Sequence, residues 1–139
     1  DTTDLDVVEA TVLQDCRDSA VLELSYDKKF ASQLALHLQG AGITMLDTPQ
    51  GFALNEAIRK VSAWVVTGDL CHNSHAILGW MADNVVVVVG RNGELRIDKE
   101  RAKEKIDGIS ALTMAASRAI VRDVAGSVYL TRGVRRLGE

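Results

Sequence analysis

The sequence predicts an α/β fold in which helices flank parallel strands and a β-hairpin follows. Apolar residues in the first half alternate between helical spacing and short strand-like runs, in the order helix, strand, helix, strand, helix. A later run of five valines leads to Asn92-Gly93, a dipeptide that favours tight hairpin turns. With 139 residues, 47% of them hydrophobic, and one proline, the chain is predicted to form a single domain over residues 1–139.

The individual elements follow from apolar periodicity and from the residues that interrupt it. Leu22, Leu24 and Tyr26 alternate as one face of a strand, and Gly40 and Gly68 end the helices that precede them. The predicted helices are residues 5–18, 29–40, 52–67, 75–82 and 103–123; the strands are residues 21–26 and 43–46; the hairpin is residues 84–98, and a short tail covers residues 124–139. Two parallel strands are few for an open sheet, which predicts pairing with an upstream part or another molecule.

Composition excludes several classes of protein. The net charge of −3 argues against a generally basic nucleic-acid binder, so any contact with DNA requires a local basic patch. Cys16 and Cys71 form no C-x-x-C motif, which argues against a zinc ribbon and favours free thiols in a reducing compartment. The sequence contains no apolar run long enough for a membrane span and no P-loop motif. We therefore expect no membrane contact.

Three aspartates are candidates for a catalytic site. Asp27 directly follows the first predicted strand and Asp47 ends the second, so both are predicted at the carboxyl edge where ligands of α/β sheets gather. An Asp after a strand is also common in turns and helix caps, and position alone leaves both roles open. Asp107 lies near the start of the last predicted helix, beside Gly108. This unfavourable pair indicates either a needed carboxylate or a first-turn residue stabilised by the helix dipole.

Residues 91–105, the basic segment, carry more positive than negative charge in an otherwise acidic protein. Clustered lysines and arginines are what a DNA phosphate backbone requires, whereas the alternative is an ordinary solvated hairpin and helix start. The candidate DNA-binding residues are Arg91, Arg96, Lys99, Arg101, Lys103 and Lys105.

Two histidines and two apolar residues precede the hairpin. His72 and His75 have the i, i+3 spacing of a metal site, but no Cys or carboxylate accompanies them in register, which favours a loop and helix-cap role. Trp80 and Met81 are predicted to pack in the core.

A specific set of motifs occupies residues 70–87, which include His72 and the stretch Leu78-Gly79-Trp80, then Asp98-Lys99, and then residues 105–115, which begin Lys105-Ile106-Asp107-Gly108. With these motifs, nearly the whole chain resembles the C-terminal nuclease domain of tailed-phage terminase large subunits. Tyr26-Asp27 is similar to the family's Tyr-Asp-Pro-Trp, and residues 127–133 to its usual close. This sequence departs from the family at His75-Ala76, where Asn-Pro is usual, and at Lys28-Lys29, where Pro-Trp is usual.

The resemblance implies the later part of an RNase H-like fold and a metal-dependent endonuclease that cuts concatemeric viral DNA. Two Mg²⁺ or Mn²⁺ ions would perform phosphodiester hydrolysis, with Asp27 and Asp107 as two of three catalytic metal ligands and His72 and Asp47 at the edge of the site. The family's first strands, which carry the third Asp, have no match here. We therefore expect a fragment with little or no nuclease activity by itself, in which Glu23 and Asp47 are the first candidates for a hidden third ligand.

The implied partners are double-stranded DNA, the ATPase domain and first nuclease strands of the same protein, the terminase small subunit and the portal. The implied location is the host cytoplasm during virion assembly. One alternative is a non-catalytic, prophage-derived remnant that binds DNA or a partner protein. Another is a different RNase H-like enzyme, such as a resolvase or transposase, which the stretch from Trp80 to Gly108 argues against.

Overall fold

The computed structural model describes residues 4–131, with only the backbone described for residue 30 and residues 123–131. Residues 132–139 of the predicted tail therefore lie outside the described part. The chain divides into two compact units, Asp1–Gln50 and Gly51–Glu139. The single domain predicted over residues 1–139 stays a prediction. None of the described helices is long and apolar enough to cross a membrane.

The order of helices and strands agrees with the sequence prediction. The first unit contains α1 (Leu5–Asp18), β1 (Leu24–Tyr26), α2 (Lys28–Gly40) and β2 (Met45–Asp47). The second contains a 3₁₀ helix (Gly51–Leu54), α3 (Asn55–Thr67), α4 (Ala76–Asn84), β3 (Val87–Val89), β4 (Leu95–Ile97) and α5 (Asp107–Thr131).

In the first unit, β1 and β2 pair in parallel, with Leu24 opposite Met45 and Tyr26 opposite Asp47. This pairing confirms the predicted parallel strands joined through a helix. The first strand is shorter than predicted, because the Val21 amide donates to the Cys16 carbonyl at the end of α1 and leaves Leu22 exposed. The prediction that Leu22 lies on one strand face was therefore wrong.

The core of the second unit consists of Leu54, Ile58 and Met114, with Leu95 and Ile97 packed against it. These residues come from the 3₁₀ helix, α3, β4 and α5, so the hairpin rests on the helices that also carry the core. The buried side chains thus hold β4, the strand within the later basic residues, against a closely packed core.

The antiparallel hairpin of β3 and β4 confirms the prediction at residues 84–98, but its turn differs from the one expected. The Gly90 amide donates to the Glu94 carbonyl, the Gly93 amide donates to the Gly90 carbonyl, and Gly93 has a φ of 83°. The loop thus has three residues and one left-handed glycine, whereas a two-residue primed turn requires positive φ at Asn92 as well. The predicted primed turn was wrong.

The last helix begins later than predicted and extends further. It starts at Asp107 instead of residue 103, after a turn at residues 98–101 and a non-helical connection over residues 102–106, and it continues to Thr131 through part of the predicted tail. Trp80 is 46% exposed, which contradicts its predicted core position. The α4 helix is apolar from Ala76 to Ala82, and its Leu78 and Met81 side chains pack against Gly108 of α5.

Candidate active site

Asp27 and Asp47 lie at the carboxyl edge of the parallel strand pair, as the topology predicted. Asp47 ends β2 opposite Tyr26, and Asp27 follows Tyr26 directly. One Asp27 oxygen accepts from the Lys29 amide at 3.0 Å and caps α2, while the other accepts from Gln50 Nε2 at 2.9 Å. A carboxylate has about four acceptor positions, so the capping role and metal binding are compatible at Asp27.

Asp107 is the exposed first residue of α5. The positive end of the helix dipole stabilises a carboxylate there without a metal. Packing explains why a glycine follows Asp107. A Cβ on Gly108 would lie 2.9 Å from Met81 Sδ and 3.3 Å from Leu78 Cδ1. Close packing of α4 on α5 therefore requires Gly108 and sets where the start of α5, with Asp107, lies relative to α4.

The metal site itself stays a prediction. Among the side chains that the structure describes, no three His, Cys, Asp or Glu residues group closely enough to hold a metal ion. Asp27 and Asp47 belong to the first unit and Asp107 to the second. Their hard oxygen donors nevertheless fit Mg²⁺ or Mn²⁺ in chemical type.

The two histidines cap the start of α4. His72 Nδ1 accepts from the His75 amide, and His75 Nδ1 accepts from the Leu78 amide, both at 3.2 Å. These bonds confirm the loop and helix-cap interpretation. They also show why His75 can replace the asparagine that is usual in the family, since both side chains can accept a hydrogen bond from a backbone amide. His72 also lines an apolar cavity of about 420 Å³ between α3, α4, α5 and the hairpin. Its place at the edge of a metal site stays a prediction.

The hairpin is attached to α3 at its turn. The Leu95 amide donates to Asn55 Oδ1 at 2.8 Å, and the Arg59 guanidinium donates to the Gly93 carbonyl. Phe52 packs against Gly90, where a Cβ would lie 3.0 Å from its ring. The turn is thus held by side chains that lie far from it in sequence.

Asp98 organises the middle of the basic segment. It is 5% exposed and accepts from the Glu100 amide at 3.1 Å and from the Arg101 amide at 3.3 Å. Its Oδ2 also lies 3.4 Å from Arg96 Nη2 and 3.6 Å from Arg101 Nε. Sequence reasoning missed this role; the available signal was an aspartate directly after a strand, where its side chain can accept amides two and three residues on.

All the candidate DNA-binding residues except Arg96 are exposed. Arg91, Lys99, Lys103 and Lys105 are exposed, as is Arg101, whereas Arg96 is half-buried with its guanidinium 5.6 Å from the centre of the Phe52 ring. The basic segment therefore has five exposed cations, and one of them, Arg101, shares the buried Asp98 carboxylate with Arg96.

Comparison with known proteins identifies one family. The model of the family described as terminase large subunit, endonuclease domain, matches residues 3–123. The terminase large subunit of Lactococcus phage SK1 is 35% identical over 75 residues, which are 54% of this chain and 14% of that protein. The large subunit of Enterobacteria phage HK97 is 26% identical over 119 residues, which are 84% of this chain and 24% of that protein.

A solved structure is similar as well. The crystal structure of the HK97 bacteriophage large terminase matches with a TM-score of 0.75 and 25% identity, covering 84% of this chain and 25% of that one. This likeness supports the predicted α/β fold class and is consistent with an RNase H-like fold. The chain spans about a quarter or less of each of these three proteins.

Proposed function

This chain belongs to the endonuclease-domain family of terminase large subunits, and we propose that it forms part of a metal-dependent endonuclease that cuts concatemeric viral DNA during packaging. The family match over residues 3–123 is the observation that carries the proposal. It covers the strand end at Asp27, the hairpin and the start of α5, so all candidate site residues lie within it.

In this proposal, Asp27 and Asp107 are two of the metal ligands. Two Mg²⁺ or Mn²⁺ ions would supply an activated water and stabilise the leaving oxygen of the phosphodiester. Asp27 is suited to its role because the Lys29 amide and the Gln50 side chain fix its orientation. Asp107 is oriented by α5, whose start is placed by the close contact of Gly108 with Met81.

The basic segment would hold the DNA backbone near the carboxylates, which themselves repel phosphate. Its exposed residues Arg91, Lys99, Arg101, Lys103 and Lys105 supply the positive charge that phosphate contacts need. Further proposed partners are the ATPase domain and first nuclease strands of the same protein, the terminase small subunit and the portal. The proposed location is the host cytoplasm during virion assembly.

The test is cleavage of supercoiled plasmid by a full-length large subunit that contains this chain, with Mg²⁺ or Mn²⁺. Asp27→Asn and Asp107→Asn should each reduce the cutting rate by more than about 100-fold, because residues that only orient metal ligands already contribute roughly 10- to 100-fold. Asp83→Asn, on the exposed surface of α4, is the matched control and should cut normally. The 139-residue chain alone should cut weakly or not at all.

Three outcomes would contradict parts of the proposal. Normal cutting by both aspartate variants would reject the metal-ligand assignment. Strong metal-dependent cutting by the isolated chain would mean that a third ligand lies within it, with Glu23 and Asp47 to be tested next. A full-length protein that binds DNA but never cuts it would favour the non-catalytic remnant.

A further inference from the structure

A buried acid in a segment that should bind DNA requires an explanation, because a negative charge there opposes phosphate binding. Asp98 is 5% exposed, and a buried carboxylate is costly unless it is paired. Two backbone amides and two guanidinium groups surround it. The backbone contacts explain an acceptor at this position, but a neutral asparagine would satisfy them equally well.

The two arginines meet this carboxylate in different ways. Arg96 uses a terminal nitrogen, Nη2, and lies over the Phe52 ring, so its guanidinium is enclosed from two directions. Arg101 uses Nε, and its side chain is 72% exposed. The Arg101 Nε lies 3.6 Å from Asp98 Oδ2, which is an ion-pair distance. A guanidinium that faces the carboxylate with Nε leaves its two terminal amino groups for another partner, and this pair matches the oxygens of a phosphate in a bidentate contact.

We propose that Asp98 is a positioning residue for DNA binding, which holds Arg101 so that its terminal amino groups contact a backbone phosphate. This inference rests on the proposed function of the basic segment and adds the mechanism by which one of its cations is oriented. The pairing of Asp98 with Arg101 spans three residues along one turn, so the orientation is set locally by the 98–101 turn.

The direction in which Asp98→Asn changes the affinity for DNA separates a positioning role from a simple effect of charge. Asp98→Asn keeps an oxygen for the Glu100 and Arg101 amides and removes one negative charge. If charge alone matters, DNA binding strengthens. If Asp98 orients Arg101, binding weakens towards the value of Arg101→Ala, because an unrestrained arginine loses its preset geometry.

The size of the effect follows from counterion release. One phosphate contact changes the slope of log affinity against log salt by about 0.9, which corresponds to about eightfold in affinity at 0.1 M salt. Arg101→Ala should therefore weaken binding about eightfold and flatten the slope by about 0.9. Asp98→Asn should weaken binding by between about threefold and about eightfold, the latter being the effect of losing Arg101 altogether.

The experiment measures anisotropy of a labelled DNA duplex with the full-length protein, without divalent metal, between about 50 and 200 mM salt. Glu104→Gln removes the same charge from an exposed position in the same segment, and it should leave binding unchanged or strengthen it. The double variant Asp98→Asn/Arg101→Ala should match Arg101→Ala alone, since Asp98 is proposed to act through Arg101. Arg101→Lys should also weaken binding, because lysine lacks the paired amino groups.

The outcomes distinguish this inference from the proposed function. Binding by Asp98→Asn that is equal to or tighter than wild type, in a variant with an unchanged circular dichroism spectrum, would overturn the inference. Should Asp98→Asn fail to fold, Arg101→Lys decides instead, and unchanged binding by that variant would overturn it. Absence of salt-dependent DNA binding by the wild-type protein would overturn the proposed DNA-binding role and the inference together.

Discussion

Replacing Gly108 with alanine tests why the last helix carries a glycine beside the candidate metal ligand Asp107. An added Cβ would lie 2.9 Å from Met81 Sδ and 3.3 Å from Leu78 Cδ1. The first distance is too short for two heavy atoms in contact, and the second requires a shift of a few tenths of an ångström. The Gly108 amide also lies 3.2 Å from the same sulfur.

Two opposing effects set the expected change in the free energy of unfolding. Alanine stabilises a helix by about 1 kcal/mol relative to glycine. Overpacking at a close contact typically costs about 1–3 kcal/mol. Because the Met81 side chain is flexible and can move away in part, we expect Gly108→Ala to destabilise the protein by about 0–2 kcal/mol.

The assay is urea unfolding followed by tryptophan fluorescence, which reports on the second unit because Trp64 and Trp80 both belong to it. The decisive comparison repeats the substitution in a Met81→Ala background, where the sulfur is gone. There only the 3.3 Å approach to Leu78 Cδ1 opposes the helix preference, so Gly108→Ala should become stabilising by up to about 1 kcal/mol. If alanine stabilises the wild-type background by that same amount, close packing against Met81 does not explain the glycine.

Two further predictions concern the hairpin. Asn55→Ala removes the side-chain acceptor of the half-buried Leu95 amide and should cost about 1–3 kcal/mol in the same urea assay, whereas Asn55→Asp keeps an acceptor oxygen and should recover most of it. The backbone amide of Glu94 and the Asn92 side chain lower the pKa of the Glu94 carboxyl. Its stabilising contribution is therefore present above the unfolded pKa of about 4.3 and is lost as pH falls through the lower folded pKa. Amide exchange of the hairpin in acid, compared with Glu94→Gln, measures this loss, and an identical acid dependence in both proteins would refute it.

The sequence predicted the order of elements well because periodicity depends on which residues must be buried. It was less reliable where one local contact decides the outcome. Val21 is not part of the first strand because its amide donates to the end of α1, and Asp98 accepts two amides of a separate turn before α5. Trp80 was misplaced because the continuous apolar run from Ala76 to Ala82 gives no indication of which face of the helix packs.

In the candidate site, too, the sequence predicted what depends on topology and missed what depends on close contacts. Topology alone placed Asp27 and Asp47 at one sheet edge, since parallel strands end together. The reason for Gly108 could not be predicted, because it depends on how closely Met81 of another helix approaches. Asp98 was overlooked because its burial depends on the folded turn, while its sequence neighbours are mostly charged.

The attachment of the hairpin turn to α3 also restricts where this part of the chain can vary in length. An insertion between Gly90 and Glu94 would displace the Gly93 carbonyl from Arg59 and the Leu95 amide from Asn55. Residues 98–101 are similarly constrained by the Asp98 turn, and Ile106 is buried. Homologous chains with extra residues in this region should therefore carry them between residues 102 and 105, where a longer loop costs little.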